Sequence, residues 1–331
     1  MTAAQTDVIG IGNAIVDILA HADDAVLQKL DLAKGHMRLI DEAEVGRIYA
    51  AMGPAVEISG GSAANTIAGV ASFGGRGAFI GRVADDDFGK VFRHDIRSIG
   101  VAFDTAPAGS GSATARCLVL VTPDGQRTMS TFLGAAAELG PDDVAAGPIE
   151  AAAITYLEGY LFDRPEAKAA FKKAAAIARK AQRKVAISLS DGFCVERHRA
   201  DFLELIRSSI DIVLANTQEL ETLYQAPFEE ACSLMAADAP LAAVTRSEHG
   251  SVILSGAERI AVAAEPIARL VDTTGAGDLY AAGFLTGIAR GLPLPLCGQL
   301  GSIAAAEVIQ HLGARPEQPL AALSRKKTIA I

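Results

Sequence analysis

The segment VDTTGAGDLYAAGFLTGIARG, at 271–291, places small residues and one carboxylate at the predicted start of a long helix. The first amides of a helix have no intrahelical acceptor and lie at the positive end of its dipole, so Gly275, Ala276 and Gly277 are predicted to hold an anion. The same field favours ionised Asp278, which can accept a proton. This combination suits phosphoryl transfer, which depends on positioning and charge stabilisation. An ordinary capped helix would explain the same residues.

A second Gly-rich turn, GGSAAN at 60–65, opens a helix of small residues. It admits either a ligand close to the backbone or a tightly packed helix, and the spacing does not decide between them. Asp17 lies inside the apolar run DVIGIGNAIVDILA at 7–20. An isolated buried carboxylate is costly, so Asp17 is either a hydrogen-bonded structural residue or a carboxylate that faces a pocket.

The two common nucleotide-binding signatures are absent from the sequence. Gly10 and Gly12 lead to Ile15, where a dinucleotide fingerprint requires Gly or Ala. Gly89-Lys90 lacks both the first Gly of a P-loop and the Ser or Thr that follows its Lys. A dinucleotide-dependent oxidoreductase is therefore disfavoured.

Composition restricts the class of protein further. The 331 residues are 50% hydrophobic but only 5% aromatic, with 32 Gly, which is typical of Ala-rich helices on buried parallel strands. The net charge of −9 argues against nucleic acid as a partner. The four cysteines are far apart, so neither a zinc site nor a disulfide framework is indicated. With no secretory start and no run of roughly 18 apolar residues, we expect a cytoplasmic protein without a membrane partner.

The second half of the chain alternates strands with helices. Strands are predicted at 151–161, 184–191 and 211–216, two more within 240–255, and helices at 165–182 and 199–210. This alternation predicts a parallel sheet, whose ligands gather beyond the carboxyl ends of the strands. The polar residues predicted at that edge are Asp17, Glu158, Asp191, Asn216 and Thr245. TARCLVLVTPDGQRTMST, at 114–131, is predicted to form a hairpin around PDG with one solvated face.

Several motifs together resemble the PfkB, or ribokinase-like, family of carbohydrate and nucleoside kinases. DTTGAGDLYAAGFL at 272–285 is similar to its C-terminal signature and GGSAAN to its N-terminal one, and NTQE at 216–219 and TRSEHG at 245–250 follow the family's order. Ile67 departs from the N-terminal pattern, where a smaller residue is expected. The resemblance covers essentially the whole chain.

The resemblance implies a ribokinase-like α/β fold, in which helices flank both faces of a central, mostly parallel sheet. Residues 1–331 would form a single kinase domain, into which a small β-sheet lid from roughly 13–40 and 101–132 is inserted. The lid would close over the substrate and exclude the water that would otherwise hydrolyse ATP.

The resemblance also implies roles for individual residues. Asp278 would be the general base, with the amides of Gly275, Ala276 and Gly277 as the anion hole. The residues that would bind the sugar are Asp17, Gly60, Gly61, Asn65 and Glu158. Asn216 and Glu219 would order the water shell of Mg²⁺, which commonly keeps several waters. The residues that would line the ATP phosphates and ribose are Thr245, Arg246 and Gly250, and 302–316 would pack along the adenine.

A second cation is implied beside the anion hole. Asp272 and the carbonyl of Thr274 resemble a monovalent-cation site for an ion such as K⁺, closed by carbonyls near Val308, His311 and Gly313. His311 is equally well explained as a helix-end histidine. From the lid, Arg127 is either a ligand for substrate or phosphates or a surface residue at the base of the hairpin.

The leading hypothesis is an ATP- and Mg²⁺-dependent kinase that phosphorylates a primary hydroxyl of a nucleoside or furanose-type sugar, as a monomer or homodimer. GNAIVDI at 12–18 and EVIQHLGARP at 307–316 resemble the adenosine-kinase-like branch more than ribokinase or fructokinase. Adenosine would need an apolar or aromatic clamp, for which the candidates are Phe132, Tyr160 and Phe162. A non-catalytic sugar- or nucleotide-binding regulator is the remote alternative.

Overall fold

Two β-sheets of different character organise the computed structural model, which describes residues 4–329. The large sheet has the strand order β13-β12-β11-β10-β9-β8-β1-β5, and the small sheet has the order β3-β7-β6-β2-β4. Residues 1–3 and 330–331, which belong to the N-terminal segment and to the basic C-terminal tail, lie outside the described residues. No helix within 4–329 combines the length and apolar character that crossing a bilayer requires.

The strands of the large sheet are β1 (Thr6–Ile11), β5 (Gly77–Ile80), β8 (Ala152–Glu158), β9 (Lys184–Ser188), β10 (Ile212–Asn216), β11 (Leu241–Thr245), β12 (Ser251–Ser255) and β13 (Glu258–Val262). The strands of the small sheet are β2 (Ile15–His21), β3 (Met37–Leu39), β4 (Ala55–Gly60), β6 (Ala115–Val121) and β7 (Arg127–Phe132).

The helices are α1 (Asp24–Lys29), α2 (Glu42–Tyr49), α3 (Ser62–Ser72), α4 (Asp87–Ser98), α5 (Ala146–Ala151), α6 (Pro165–Lys180), α7 (Gly192–Ser209), α8 (Thr217–Tyr224), α9 (Phe228–Asp238), α10 (Ala276–Ala289), α11 (Leu294–Val308) and α12 (Leu320–Lys326).

The large sheet is buried on both faces, as its apolar strands predict. Strands β5, β1, β8, β9, β10 and β11 pair in parallel, and β12 and β13 continue the sheet antiparallel. Alternate strand residues enter opposite cores: Leu214 packs on the side of α3, α10 and α11, whereas Val213 packs on the side of α6, α7 and α9. The predicted central sheet with helices on both faces is therefore confirmed.

The small sheet is covered on one face only. Val16 and Ile18 of β2 point outward into a core with Leu27 of α1 and Val45 of α2, so these two helices cover the outer face. The hairpin predicted at 114–131 is confirmed as β6 and β7, which pair antiparallel. Strands β3 and β4 also belong to this sheet, and their pattern did not predict them because most of their residues are exposed.

The position predicted for Asp17, at the edge of the large sheet, is wrong. Asp17 does not follow a strand of the large sheet; it lies within β2 of the small sheet, opposite Ile58 of β4 and Cys117 of β6. The run at 7–20 contains two strands, and the chain leaves the large sheet after Ile11. Asp17 consequently approaches the cleft from the small sheet, above the edge of the large one.

Candidate active site

Two helices begin side by side at the edge of the large sheet. Helix α3 is capped by Gly61 and α10 by Gly275. Asp278, in the first turn of α10, accepts a hydrogen bond from Ser62 Oγ at 2.6 Å and one from Asn65 Nδ2 at 3.0 Å. The two Gly-rich segments, far apart in the sequence, thus meet around one carboxylate.

The glycines at this junction are required for different reasons. Gly61 has a φ of 100°, and a Cβ there would lie 2.1 Å from the carbonyl oxygen of Asn13. Gly275 has a φ of 79° and packs against Ala314. Within the described residues, a Cβ on Gly277 would meet no heavy atom within 4 Å. Gly277 therefore borders open space, whereas the other two fill backbone positions that a side chain would strain.

Unpaired amides lie at the start of α10. The amide of Ala276 donates to the carbonyl of Thr273 at 3.2 Å, within the turn that begins the helix. Across residues 4–329, no acceptor lies on the amides of Gly275, Gly277 or Asp278. These three N–H groups, together with the helix dipole, make the junction suitable for an anion.

The electrostatics favour Asp278 as a proton acceptor. Burial raises its pKa above the usual range, although the hydrogen bonds from Ser62 and Asn65 and the nearby Arg315 favour the charged form. A carboxylate with a raised pKa is a stronger base than one in water. The two hydrogen bonds also fix the direction in which the carboxylate points.

Glu158, at the end of β8, is held beneath this junction. Its carboxylate accepts from Asn13 Nδ2 at 2.7 Å, from the Asn13 amide at 3.3 Å and from the Ala63 amide at 2.8 Å. The side chain is only 1% exposed, and burial raises its pKa to about 7. Glu158 therefore contacts the first turn of α3, and its predicted contact with the substrate stays a prediction.

Asp17 differs from the other acids because its carboxylate has no partner. No hydrogen bond or ion pair to it occurs within residues 4–329. It lies against Gly60, where a Cβ would come within 2.2 Å of Asp17 Oδ2. Burial raises the pKa of Asp17 to about 6, while the charges of Arg315 and Arg127 lower it. A ligand with hydroxyl groups would supply the missing donors.

The inner face of the small sheet surrounds Asp17 with apolar residues. Cross-strand pairing places Cys117 beside Asp17, and Val119 between Leu19 and Met129 in the next row. With Ile15 and Val121, these residues form a separate small apolar cluster. This face combines one free carboxylate with an apolar wall.

The three aromatic candidates for a clamp do not surround one pocket. Phe162 stacks on Phe202 at 4.0 Å in the core behind the sheet. Phe132 points to the outer face of the small sheet, where the guanidinium of Arg116 lies over its ring. Tyr160 is 38% exposed as a residue, and burial of its hydroxyl, followed by the charges of the cleft acids, raises its pKa. Of the three, only Tyr160 borders the cleft.

Asn216 and Glu219 form a reciprocal cap at the start of α8. Asn216 Oδ1 accepts from the Glu219 amide at 2.8 Å, and the Glu219 carboxylate accepts from the Asn216 amide at 3.0 Å and from Asn216 Nδ2 at 2.7 Å. Burial, followed by repulsion from Asp191 and Asp278, raises the pKa of Glu219 to about 7. Three acids thus face one region in which a divalent cation would relieve their repulsion.

The predicted nucleotide loop follows β11. Gly250 has a φ of 76°, and a Cβ there would lie 2.0 Å from the carbonyl oxygen of Val262, so the turn requires glycine. Arg246 lies with its guanidinium 4.7 Å from the centre of the Phe228 ring. Thr245 Oγ1 donates to the carbonyl of Ala215 at 3.4 Å. These residues share the edge of the sheet with Asn216.

The residues at the predicted monovalent-cation site do not fit a cation in this arrangement. Asp272 Oδ1 accepts from the amide and hydroxyl of Thr274 at 3.0 and 2.8 Å. Asp272 Oδ2 accepts from the amide of Gly313 at 3.2 Å and lies 2.8 Å from Nη2 of Arg127. His311 contacts Glu307 at 3.2 Å, in the helix-end setting that was its alternative. Among the described residues, no group of three or more His, Cys, Asp or Glu side chains could hold a metal ion together.

Sequence reasoning missed three residues of the site. Ser62 lies inside the GGSAAN motif, but its contact with Asp278 joins two distant segments and has no local signal. Asn13 bridges β1 and β2 and holds Glu158, which no local pattern signals. Arg315 donates to the carbonyls of Ser59 and Ala64, and its charge acts on both Asp17 and Asp278. Arg315 is brought here by tertiary structure alone.

Comparison with known proteins places this geometry in a family. A family model described as pfkB family carbohydrate kinase matches residues 51–321. The chain is similar to the crystal structure of adenosine kinase from Sinorhizobium meliloti, with 52% identity, a TM-score of 0.91, and coverage of 98% of this chain and 100% of that one. It is equally similar to a probable sugar kinase from Rhizobium etli CFN 42, with 50% identity, a TM-score of 0.91 and coverage of 98% and 99%. Adenosine kinase of Saccharomyces cerevisiae is 26% identical over 96% of this chain and 98% of its own.

Proposed function

Because the chain belongs to the pfkB family of carbohydrate kinases, we propose that it transfers the γ-phosphate of ATP to a primary hydroxyl of a nucleoside, with adenosine as the favoured acceptor. As a family member it is a phosphotransferase that acts on a hydroxyl group. The observation that carries the proposal is the position of Asp278 beside the unpaired amides of Gly275 and Gly277.

In this proposal, Asp278 removes the proton of the attacking hydroxyl. Ser62 and Asn65 hold its carboxylate in place, and burial raises its pKa, which strengthens it as a base. The amides of Gly275, Gly277 and Asp278 hold the phosphoryl oxygens as negative charge redistributes. Each such donor contributes about 3 kcal/mol in the transition state. Ala276 supports the hole by shaping the turn, since its amide is already engaged.

The acceptor is held by the free carboxylate of Asp17. Two neighbouring ribose hydroxyls donate hydrogen bonds to its carboxylate oxygens, and Gly60 and Gly61 let the ring approach the backbone. Asn65 contacts both the acceptor and the base. Glu158 acts as a positioning residue, because it fixes the first turn of α3 from below.

Mg²⁺ would bind near Asn216 and Glu219 through its water shell, and when bound it neutralises charge on the ATP phosphates. The acids of this region fit a divalent cation because burial, to which repulsion from Asp191 and Asp278 adds, raises the pKa of Glu219, and a cation would offset both costs. Thr245, Arg246 and Gly250 border the phosphates and ribose of ATP, and 302–316 packs along the adenine. Arg127 Nη2 lies 2.8 Å from Asp272 Oδ2, whereas its Nε has no hydrogen-bond acceptor in residues 4–329 and is left as a donor for a phosphate.

The inner face of the small sheet favours a nucleoside over a bare sugar. The wall formed by Leu19, Val119 and Met129 lies in the row next to Asp17, where a flat base attached to a ribose can be buried. A sugar would leave that wall in contact with water. The similarity to the Sinorhizobium adenosine kinase supports the same choice, whereas the similarity to the Rhizobium sugar kinase keeps sugars as the second candidate.

The test is ADP release from ATP and Mg²⁺, measured with adenosine, other nucleosides, ribose, fructose and keto-deoxy sugars. We expect adenosine to give the highest kcat/KM, and 5′-deoxyadenosine, which lacks the attacked hydroxyl, to give only the background rate. A sugar that exceeds adenosine would replace the nucleoside proposal. If no acceptor raises the rate above ATP hydrolysis, the chain would instead be a binding regulator.

A further inference from the structure

The Arg127–Asp272 contact links the small sheet to the start of α10. Arg127 begins β7 and points to the inner face, in the same strand register as Met129. Asp272 precedes the anion-hole turn. Both side chains are buried, with 8% and 6% of their surfaces exposed, and Arg127 Nη2 lies 2.8 Å from Asp272 Oδ2. The contact therefore joins a strand of the small sheet to the segment that precedes α10.

Asp272 needs a positive partner because of its position. It lies three residues before Gly275, so an uncompensated carboxylate would repel the phosphoryl group that the anion hole holds. The three donors from Thr274 and Gly313 are neutral and do not cancel its charge. A bound cation or a cationic side chain can supply the compensation, and Arg127 occupies the remaining side of Oδ2.

We propose that Arg127 replaces a monovalent cation at Asp272, so that a side chain of the small sheet, and not a bound ion, supplies the positive charge beside the anion hole. A cation and the guanidinium are then mutually exclusive at this carboxylate. The inference takes from the proposed function only the location of the anion hole.

The test is cation binding, which requires neither ATP nor an acceptor and therefore fails or succeeds independently of the proposed activity. Thermal unfolding is followed in K⁺ and in choline at equal ionic strength, and ²⁰⁵Tl NMR detects a bound monovalent ion directly. Wild-type protein should show no K⁺-specific change in Tm and no bound Tl⁺ resonance. Arg127→Gln should gain both, with a rise in Tm of about 2 °C in K⁺.

Arg38→Gln is the matched control, because Arg38 lies in the same small sheet and pairs with Glu44 at 2.8 Å, far from Asp272 in the sequence. It should respond to K⁺ like the wild type. Arg127→Leu, which keeps the apolar stem, replaces Arg127→Gln if that variant does not fold. A bound Tl⁺ resonance in the wild type, or no gain of K⁺ response on loss of Arg127, would overturn the inference.

Discussion

The acids at the edge of the large sheet and the acid of the small sheet are held in opposite ways. Glu158, Glu219 and Asp278 each accept at least two hydrogen bonds from neighbouring residues. Asp17 accepts none from residues 4–329, although burial has raised its pKa to about 6. The acids at the edge of the large sheet already have hydrogen-bond partners before a ligand binds, whereas Asp17 of the small sheet has none among residues 4–329.

This difference indicates a division of roles. A base must point in one direction before the reaction starts, and hydrogen bonds from a rigid framework provide that direction. A carboxylate that recognises hydroxyl groups needs free lone pairs, so its cost of desolvation is offset only when the ligand binds. We therefore expect Asp17 to gain its missing contacts when the acceptor binds.

The largest expected difference between the two regions is in stability, when Glu158 or Asp17 is replaced by alanine. Glu158→Ala leaves three buried donors on Asn13 and Ala63 unpaired, so the free energy of unfolding should fall by about 4 kcal/mol. Asp17→Ala unpairs no donor and removes a desolvated charge, so its free energy of unfolding should equal or exceed that of the wild type. Urea denaturation at pH 8 measures both.

The same Asp17→Ala protein should bind the acceptor about 100-fold more weakly, because charged hydrogen bonds are worth roughly 1.5–3 kcal/mol each. Calorimetry measures binding of adenosine and, as the control, of 2′,3′-dideoxyadenosine. The substitution should change the affinity for the dideoxy analogue only slightly, because this analogue lacks both ribose hydroxyls. Equal destabilisation by the two alanine variants would remove the distinction between the regions.

The pH dependence of stability should report the acid beneath α3. The pKa of Glu158 rises to about 7 in the folded protein from an ordinary value of 4.5. The folded state therefore keeps the proton on Glu158 up to a higher pH than the unfolded state does. The stabilisation that comes from this proton is fully present below pH 4.5 and is lost as the pH rises through 7. The loss amounts to about 3 kcal/mol.

Glu158→Gln cannot ionise, so its stability relative to the wild type should increase between pH 4.5 and 8. Denaturant midpoints across this range, without ligand, give the difference between the two proteins. A difference that stays constant with pH would show that the pKa of Glu158 is close to its ordinary value.

Substitution of Gly277 should give the smallest effect on stability, and Gly61 provides the contrast. Gly277→Ala adds a methyl group that meets no described atom within 4 Å, so unfolding should change by at most about 1 kcal/mol, in the stabilising direction. Its kcat should nevertheless fall, because the methyl group stands where the anion binds. Gly61→Ala, with its φ of 100° and the Asn13 carbonyl at 2.1 Å, should instead lose stability. Full activity of Gly277→Ala would place the anion elsewhere.

The strongly periodic parts of the chain could be predicted from sequence. Strands β8 to β11 alternate with amphipathic helices, and the PDG turn between β6 and β7 is a local signal. Strands β3 and β4 carry exposed residues and no clear alternation, so they were missed. Asp17 was assigned to the wrong sheet because one apolar run contains two strands that belong to different sheets.

The site shows the same limit. The glycines and Asp278 were predictable because a helix start needs particular residue types in a short segment. Arg315 and the partner of Arg127 depend on contacts between distant segments, which local spacing does not encode. The sequence also could not show which of the clamp candidates reach the cleft, and Phe132 and Phe162 belong to cores on other faces of the two sheets.

The central claim is that Asp278 is the base at the junction of α3 and α10, and single-turnover phosphoryl transfer tests it most directly. Enzyme in excess is mixed with limiting labelled ATP and saturating adenosine, and Asp278→Asn is compared with the wild type. Asn keeps the size and can still bond to Ser62, so binding should be retained while the transfer rate falls about 1,000-fold. A variant that transfers the phosphoryl group as fast as the wild type would contradict the account.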